Sequence, residues 1–196
     1  MKKSNNLELD ISQLEAELQR EQHKRRYGKV MRSTIFSLIV VAAIAVLIAT
    51  LWLPVLQIYG RSMEPYLNEG EIVLSIKNSD FESGDVIAFY YNNKILVKRV
   101  ICGPGCWVDF DENGTVFVDG KPLYEPYLTD KALGECDLEL PFQVPDGKYF
   151  VLGDHRSTSV DSRSSVVGCV SKDQVVGKIE FRIWPLDRLG ILEKND

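Results

Sequence analysis

Ser62 and Lys98 are the two side chains in this sequence best suited to do chemistry together. A serine hydroxyl attacks a carbonyl only if a base takes its proton, and a neutral lysine is one of the few bases that serves without histidine. Ser62 stands in Gly60-Arg61-Ser62-Met63-Glu64-Pro65, and Lys98 in Ile95-Leu96-Val97-Lys98-Arg99-Val100-Ile101. Read as a strand, the second run alternates its side chains between two faces, so Lys98 shares a face with Leu96 and Val100. An ammonium among such neighbours either snorkels out to water or loses its proton. At the ordinary lysine pKa only about one amine in 2,500 is neutral at pH 7, whereas a pKa near 8 makes it roughly one in ten. That change disfavours the charged form by about 3.3 kcal/mol, which burial against apolar side chains supplies.

The serine follows a segment that reads as a membrane span. From Ser33 to Gly60 there is no charge, and Ile35 to Leu53 is almost wholly apolar, long enough for a hydrocarbon core of about 30 Å. A removable signal peptide has a shorter apolar core and ends in small residues; this run ends Leu51-Trp52-Leu53-Pro54. Trp52 and Tyr59 suit an interfacial position. Lys24, Arg25, Arg26, Lys29 and Arg32 crowd the N-terminal flank, and the positive-inside rule then keeps that side cytoplasmic. The expected organisation is a cytoplasmic basic tail over 1–33, a transmembrane anchor over 34–59 and an extracytoplasmic domain over 60–196. The tail carries a net +3 and the remainder −8. An acidic domain argues against a nucleic-acid partner.

All four cysteines, Cys102, Cys106, Cys136 and Cys169, fall in the outer domain, where disulfides persist. Three pairings are possible and the sequence does not choose among them. With His155 they could instead ligate zinc, but only Cys102 and Cys106 are close, at a spacing unlike a zinc knuckle; no metal is expected. In the tail, Leu7, Ile11, Leu14 and Leu18 form a helical stripe after a start at Asn5 or Asn6, too short for a coiled coil. The basic cluster behind it suits anionic lipid headgroups. Beyond the span, strands are expected at 71–76, 86–91, 95–101, 115–118, 148–152, 166–170 and 178–184. Asn92-Asn93, Glu112-Asn113-Gly114 and Asp119-Gly120 supply turns. Residues 124–146 read as a long surface connection and a candidate place for a disulfide. The fold class is mostly β: one N-terminal transmembrane helix, then an antiparallel, half-closed barrel.

Four blocks carry a resemblance: Ser62-Met63-Glu64-Pro65; Gly84-Asp85-Val86-Ile87; Lys98-Arg99-Val100-Ile101 with Gly103-Pro104-Gly105; and Gly153-Asp154-His155-Arg156-Ser157-Thr158-Ser159-Val160-Asp161-Ser162-Arg163. In this order behind one anchor, they resemble the bacterial type I signal peptidases. The resemblance runs from the span to Trp184-Pro185. It implies a serine endopeptidase that removes signal peptides from exported preproteins, works without a cofactor and rests an apolar surface in the outer leaflet; separately, a monomer is expected, though the sequence does not reveal the oligomeric state. Ser62 would be the nucleophile and Lys98 the general base. Ser159 would hydrogen-bond the Lys98 amine, Asp161 and Arg163 would pair to brace their loop with Asp154 beside it, and Arg99 would point away from Lys98. The signal segment would lie extended against the strand before Ser62 and the Lys98 strand, including Leu96 and Val97. Alanine-sized residues at −3 and −1 would enter shallow pockets, the −1 pocket lined by Met63 and Leu67. Relatives often carry a second serine where this chain has Gly60, which leaves the oxyanion to the Ser62 N–H and a further donor.

Two rival readings differ from this one. A Ser-His-Asp triad must use His155, the only outer histidine, oriented by Asp161 rather than by its neighbour Asp154. A non-catalytic, membrane-anchored β module assisting export or pilus assembly would be expected to lose the lysine, and Lys98 is present.

Overall fold

A computed structural model describes residues 11–194. The chain divides into two compact units, Met1–Ala49 and Thr50–Asp196. Helix α1 (Ile11–Trp52) runs without a break through the tail stripe and the apolar segment, since no proline interrupts it. Leu7 and the expected start at Asn5 or Asn6 lie outside the described residues. Over Leu14–Trp52 the helix is long and apolar enough to cross a membrane. It stops ahead of Pro54, which disfavours helical geometry at Leu53.

The second unit is built from β1 (Val55–Gln57), β2 (Ile72–Ile76), β3 (Val86–Tyr91), β4 (Lys94–Cys102), β5 (Trp107–Phe110), β6 (Val116–Val118), β7 (Lys121–Pro122), β8 (Phe142–Gln143), β9 (Lys148–Leu152), β10 (Val170–Ser171), β11 (Val175–Trp184) and β12 (Gly190–Ile191). One sheet has the order β1-β2-β11-β3-β4-β9-β10, with β12 added beside β11; the other is β7-β6-β5-β8. Every pairing is antiparallel, and short turns join the β3–β4 and β6–β7 hairpins. The architecture is mostly β, one long apolar helix followed by an antiparallel domain, with the large sheet left unclosed. Asn92 and Asp119 take positive φ in the β3–β4 and β6–β7 turns, where Asn and Asp tolerate the left-handed region.

Several expectations are corrected. Residues 55–57, placed in the apolar anchor, are a strand paired with β2; an apolar run hides the change from helix to strand. Of the expected 166–170 strand only Val170 pairs, joined by Ser171 just beyond it. The residues before it turn back, with Val167 and Gly168 N–H groups both donating to Ser164 O. Strands β5, β7, β8 and β12 were not expected. The 124–146 connection is not simply superficial, because Glu125, Tyr127 and Val144 are buried. Nor does it hold the disulfide, which joins Cys102 to Cys106, leaving Cys136 and Cys169 as free thiols.

Three apolar clusters fill the domain. One centres on Met63, Leu67, Val73 and Ile179, one on Ile101, Val108, Phe150 and Leu152, and one on Ile87, Phe89, Val100 and Val151. The first lies under the serine turn and the third includes β4, so both candidate groups stand on packed supports.

Candidate active site

The Ser62 turn is held from below. Met63, Tyr66 and Leu67 are buried, the Leu67 N–H donates to Met63 O, and Gly60 opens the turn with a φ of +80°, open to glycine without penalty. From the loop after β9, the His155 N–H donates to Ser62 O. Gly153 is required there: a Cβ would stand 2.4 Å from Ser62 O and 2.2 Å from Ser159 Oγ.

β4 supplies the partner. Lys98 is 3 % exposed, and its Nζ is 2.6 Å from Ser62 Oγ, within proton-transfer reach. Burial pushes the Lys98 amine down to about 8; Asp161 and Asp154 oppose that change and Arg163 assists it. From Lys98 onward β4 is buried on both faces, which places the lysine in a desolvated site. The His155 Nδ1 is buried without a partner, and its ring bonds neither Ser62 nor Asp161.

The loop after β9 is fixed by charge-assisted hydrogen bonds. Arg163 pairs with Asp161 at 2.8 Å, both side chains fully buried, and donates to the Arg156 carbonyl. Asp161 accepts the Gly153 N–H. Burial would raise the Asp161 carboxyl, yet Arg163 and the Gly153 N–H hold it below its ordinary range. Ser159 departs from its expected role: its hydroxyl makes no hydrogen bond to Lys98 and satisfies no full hydrogen-bond geometry, though it lies close enough to Asp161 to help lower that carboxyl.

Behind the lysine, Arg99 grips Asp154 through two hydrogen bonds of 2.9 and 2.7 Å. Its guanidinium lies between the rings of Tyr66 and Tyr127, 4.5 and 3.9 Å from their centroids. Tyr127 donates to Glu125, and Glu125 pairs with Arg156. Sequence reasoning missed Tyr66, Glu125, Tyr127 and Arg156. The one signal available was Glu125-Pro126-Tyr127, an acid and an aromatic in an otherwise turn-rich connection.

A groove of about 840 Å³ opens onto Ser62. One wall is β1 with Tyr59 and Gly60, the other Asn93 to Lys98, and Met63 lies between them. Leu96 and Val97 line it, whereas Leu67 is fully buried beneath the turn and does not. β1 pairs on one side only, and β9 meets β4 only from Arg99 onward, so both walls offer unpaired strand edges. Among the described residues the Ser62 N–H has no acceptor, while the Gly60 N–H points to Glu69 at 3.4 Å. No three His, Cys, Asp or Glu side chains among those residues are grouped to hold a metal ion.

Comparison with known proteins adds a lineage to this geometry. The family described as signal peptidase, peptidase S26, matches residues 31–184. The chain is 40% identical over 148 residues to signal peptidase IB of Staphylococcus aureus, covering 65% of this chain and 76% of that one. It is 34% identical over 164 residues to signal peptidase I of Bacillus amyloliquefaciens, covering 78% and 88%. A crystal structure of a signal peptidase I from Enterococcus faecalis V583 is 31% identical, covers 51% of this chain and 97% of its own, and superposes with a TM-score of 0.42. Most of the chain is thus matched by one family of serine proteases, and the chain belongs to it: it is a type I signal peptidase of peptidase family S26.

Proposed function

We propose that the enzyme cleaves signal peptides through a Ser62 nucleophile and a neutral Lys98 general base. The observation that carries this reading is the 2.6 Å approach of a buried lysine amine to the serine hydroxyl. Lys98 takes the Ser62 proton as Oγ bonds the carbonyl carbon of the −1 residue; the resulting ammonium then protonates the departing +1 amine. In the second half, Lys98 takes a proton from water, hydroxide attacks the acyl-enzyme, and Ser62 recovers its proton. The Ser62 N–H is the oxyanion donor on the enzyme's own backbone. Arg163, Asp161 and Asp154 hold the wall behind the base. A non-catalytic module would have no reason to bury this lysine against this serine.

The signal segment lies extended between the free edges of β1 and β4, adding a strand to each wall. In this pose the −1 side chain lies beside Ser62 against Met63, at a site proposed to admit small side chains only. A preprotein with Ala at −1 is cut, and the same preprotein with Phe or Leu at −1 is cut at least about 100-fold more slowly. Sequencing the new N-terminus of each product measures this; equal rates would place the pocket elsewhere.

α1 anchors the enzyme in the membrane, its basic flank cytoplasmic and the β domain outside. The domain works as a monomer against lipid. Supporting that contact, Val55, Leu74, Phe181 and Ile191 are successive partners across β1, β2, β11 and β12, and Val55 and Ile191 are exposed, as are Trp184, Leu186 and Leu189.

Because the base must be neutral, charge placed in the groove controls it. Leu96→Asp sets a carboxylate on the same strand face, which favours the ammonium. The acid limb of kcat/KM then lies about one pH unit higher than in the wild type. A pH–rate profile of both enzymes on one peptide tests this, and an unmoved limb would show that Lys98 is not the titrating base.

A further inference from the structure

The last described residues do more than close the sheet. β12 pairs with β11, the Leu192 N–H donates to Glu180 O, and Leu192 packs on the cluster under the serine turn. Lys194 then reaches back over Gly84, its side chain 3.3 Å from where a Cβ would be, and pairs with Glu82 at 2.7 Å and Asp85 at 3.6 Å. Between these fixed points, two carbonyls in succession face inward. Glu193 O accepts the Tyr66 hydroxyl at 2.9 Å, and Lys194 O accepts Arg99 Nη1 at 2.8 Å.

Tyr66 is four residues past the nucleophile, and Arg99 is the residue after the base. The Tyr66 ring also covers the Arg99 guanidinium, so the three elements meet at one point. We infer that residues 190–194 form a strap that sets the Ser62–Lys98 spacing, one carbonyl holding the serine turn and the next holding the lysine strand. This inference rests on the dyad reading above. Tyr66 and the strap are positioning elements: neither reaches the groove, and both act through the approach of Oγ to Nζ.

Two variants loosen the strap by different means. Tyr66→Phe keeps the ring over Arg99 but removes the donor to Glu193 O. Lys194→Glu keeps the chain length but sets a carboxylate against Glu82 and Asp85. The charged groups around Lys98 itself, Asp161, Arg163 and Asp154, are untouched by either.

The test measures kcat, KM, the pH profile and thermal unfolding for the wild type, both single variants and the double variant on one peptide. Each single change is expected to lower kcat about fivefold to tenfold, the worth of one hydrogen bond, with KM unchanged. The acid limb should move to higher pH as the loosened site lets water reach the amine, since burial is what lowers it. The double variant should be no slower than the slower single, because both changes release the same strap. Multiplicative losses, a change confined to KM, or a lowered unfolding temperature with unaltered kcat and pH profile would each overturn the inference. Activity retained by Ser62→Ala would instead sink the dyad reading beneath it, so the two failures are distinguishable.

Discussion

Ser62→Ala and Lys98→Ala each abolish preprotein cleavage, while His155→Ala retains most of it. Removing a nucleophile that forms the covalent intermediate costs on the order of 10⁶ in kcat, and removing a general base typically costs about 10²–10⁴. Lys98→Arg does not rescue, because a guanidinium keeps its proton at any accessible pH. The pH dependence follows from the sign of the shift. Burial lowers the Lys98 amine to about 8, and the active form is the neutral one, so activity is full above that value and lost as pH falls through it. At pH 6 kcat/KM is about one-hundredth of its plateau. Rates of wild type and variants on one peptide, with circular dichroism to confirm folding, decide the matter. Full activity in either dyad variant, or inactivity of folded His155→Ala, would remove the mechanism.

Asp154→Ala is strongly destabilising. Arg99 and Asp154 are both fully buried, and deleting one partner leaves the other charge uncompensated, at a cost of about 3–5 kcal/mol. Against a total stability of about 5–15 kcal/mol, that lowers Tm by on the order of 10 °C. Replacing both, as in Arg99→Met with Asp154→Leu, recovers much of the loss because no orphan charge remains. Activity does not return with it, since Arg99 no longer ties β4 to the loop after β9 or to Lys194 O. Thermal unfolding and kcat of the three variants separate these effects. An Asp154→Ala variant within about 1 kcal/mol of the wild type would mean that water replaces the missing carboxylate.

The local part of the site was legible from sequence, and the long-range part was not. Alternation along β4 identified Lys98 as a lysine among aliphatics, and the Ser62 run stood out because it follows an apolar segment. Those are signals within a few residues. The contacts of Arg99 with Tyr66, Tyr127 and Lys194 join positions far apart in sequence, and no spacing rule announces them. Glu125 and Tyr127 sat in a connection whose turn residues masked their burial. The β1 strand was hidden for the opposite reason: its apolar residues continue the composition of the helix before it. Ser159 was given a partner by resemblance; in the structure its hydroxyl faces Gly153 and Asp161.

With the signal segment paired to the free edges of β1 and β4 as proposed above, those edges also set the order in which products leave. In that pose the lining from Val55 to Met63 and from Asn93 to Lys98 holds the signal side of the scissile bond, so the mature chain, once its amine is protonated, departs first. The acylated signal segment stays paired with both edges until water cuts it. Even then it leaves only by breaking two rows of main-chain hydrogen bonds. Residence of the spent peptide, rather than bond cleavage, is then the natural limit on turnover, and extended peptides that end in an electrophile at −1 would exploit the same slow exit.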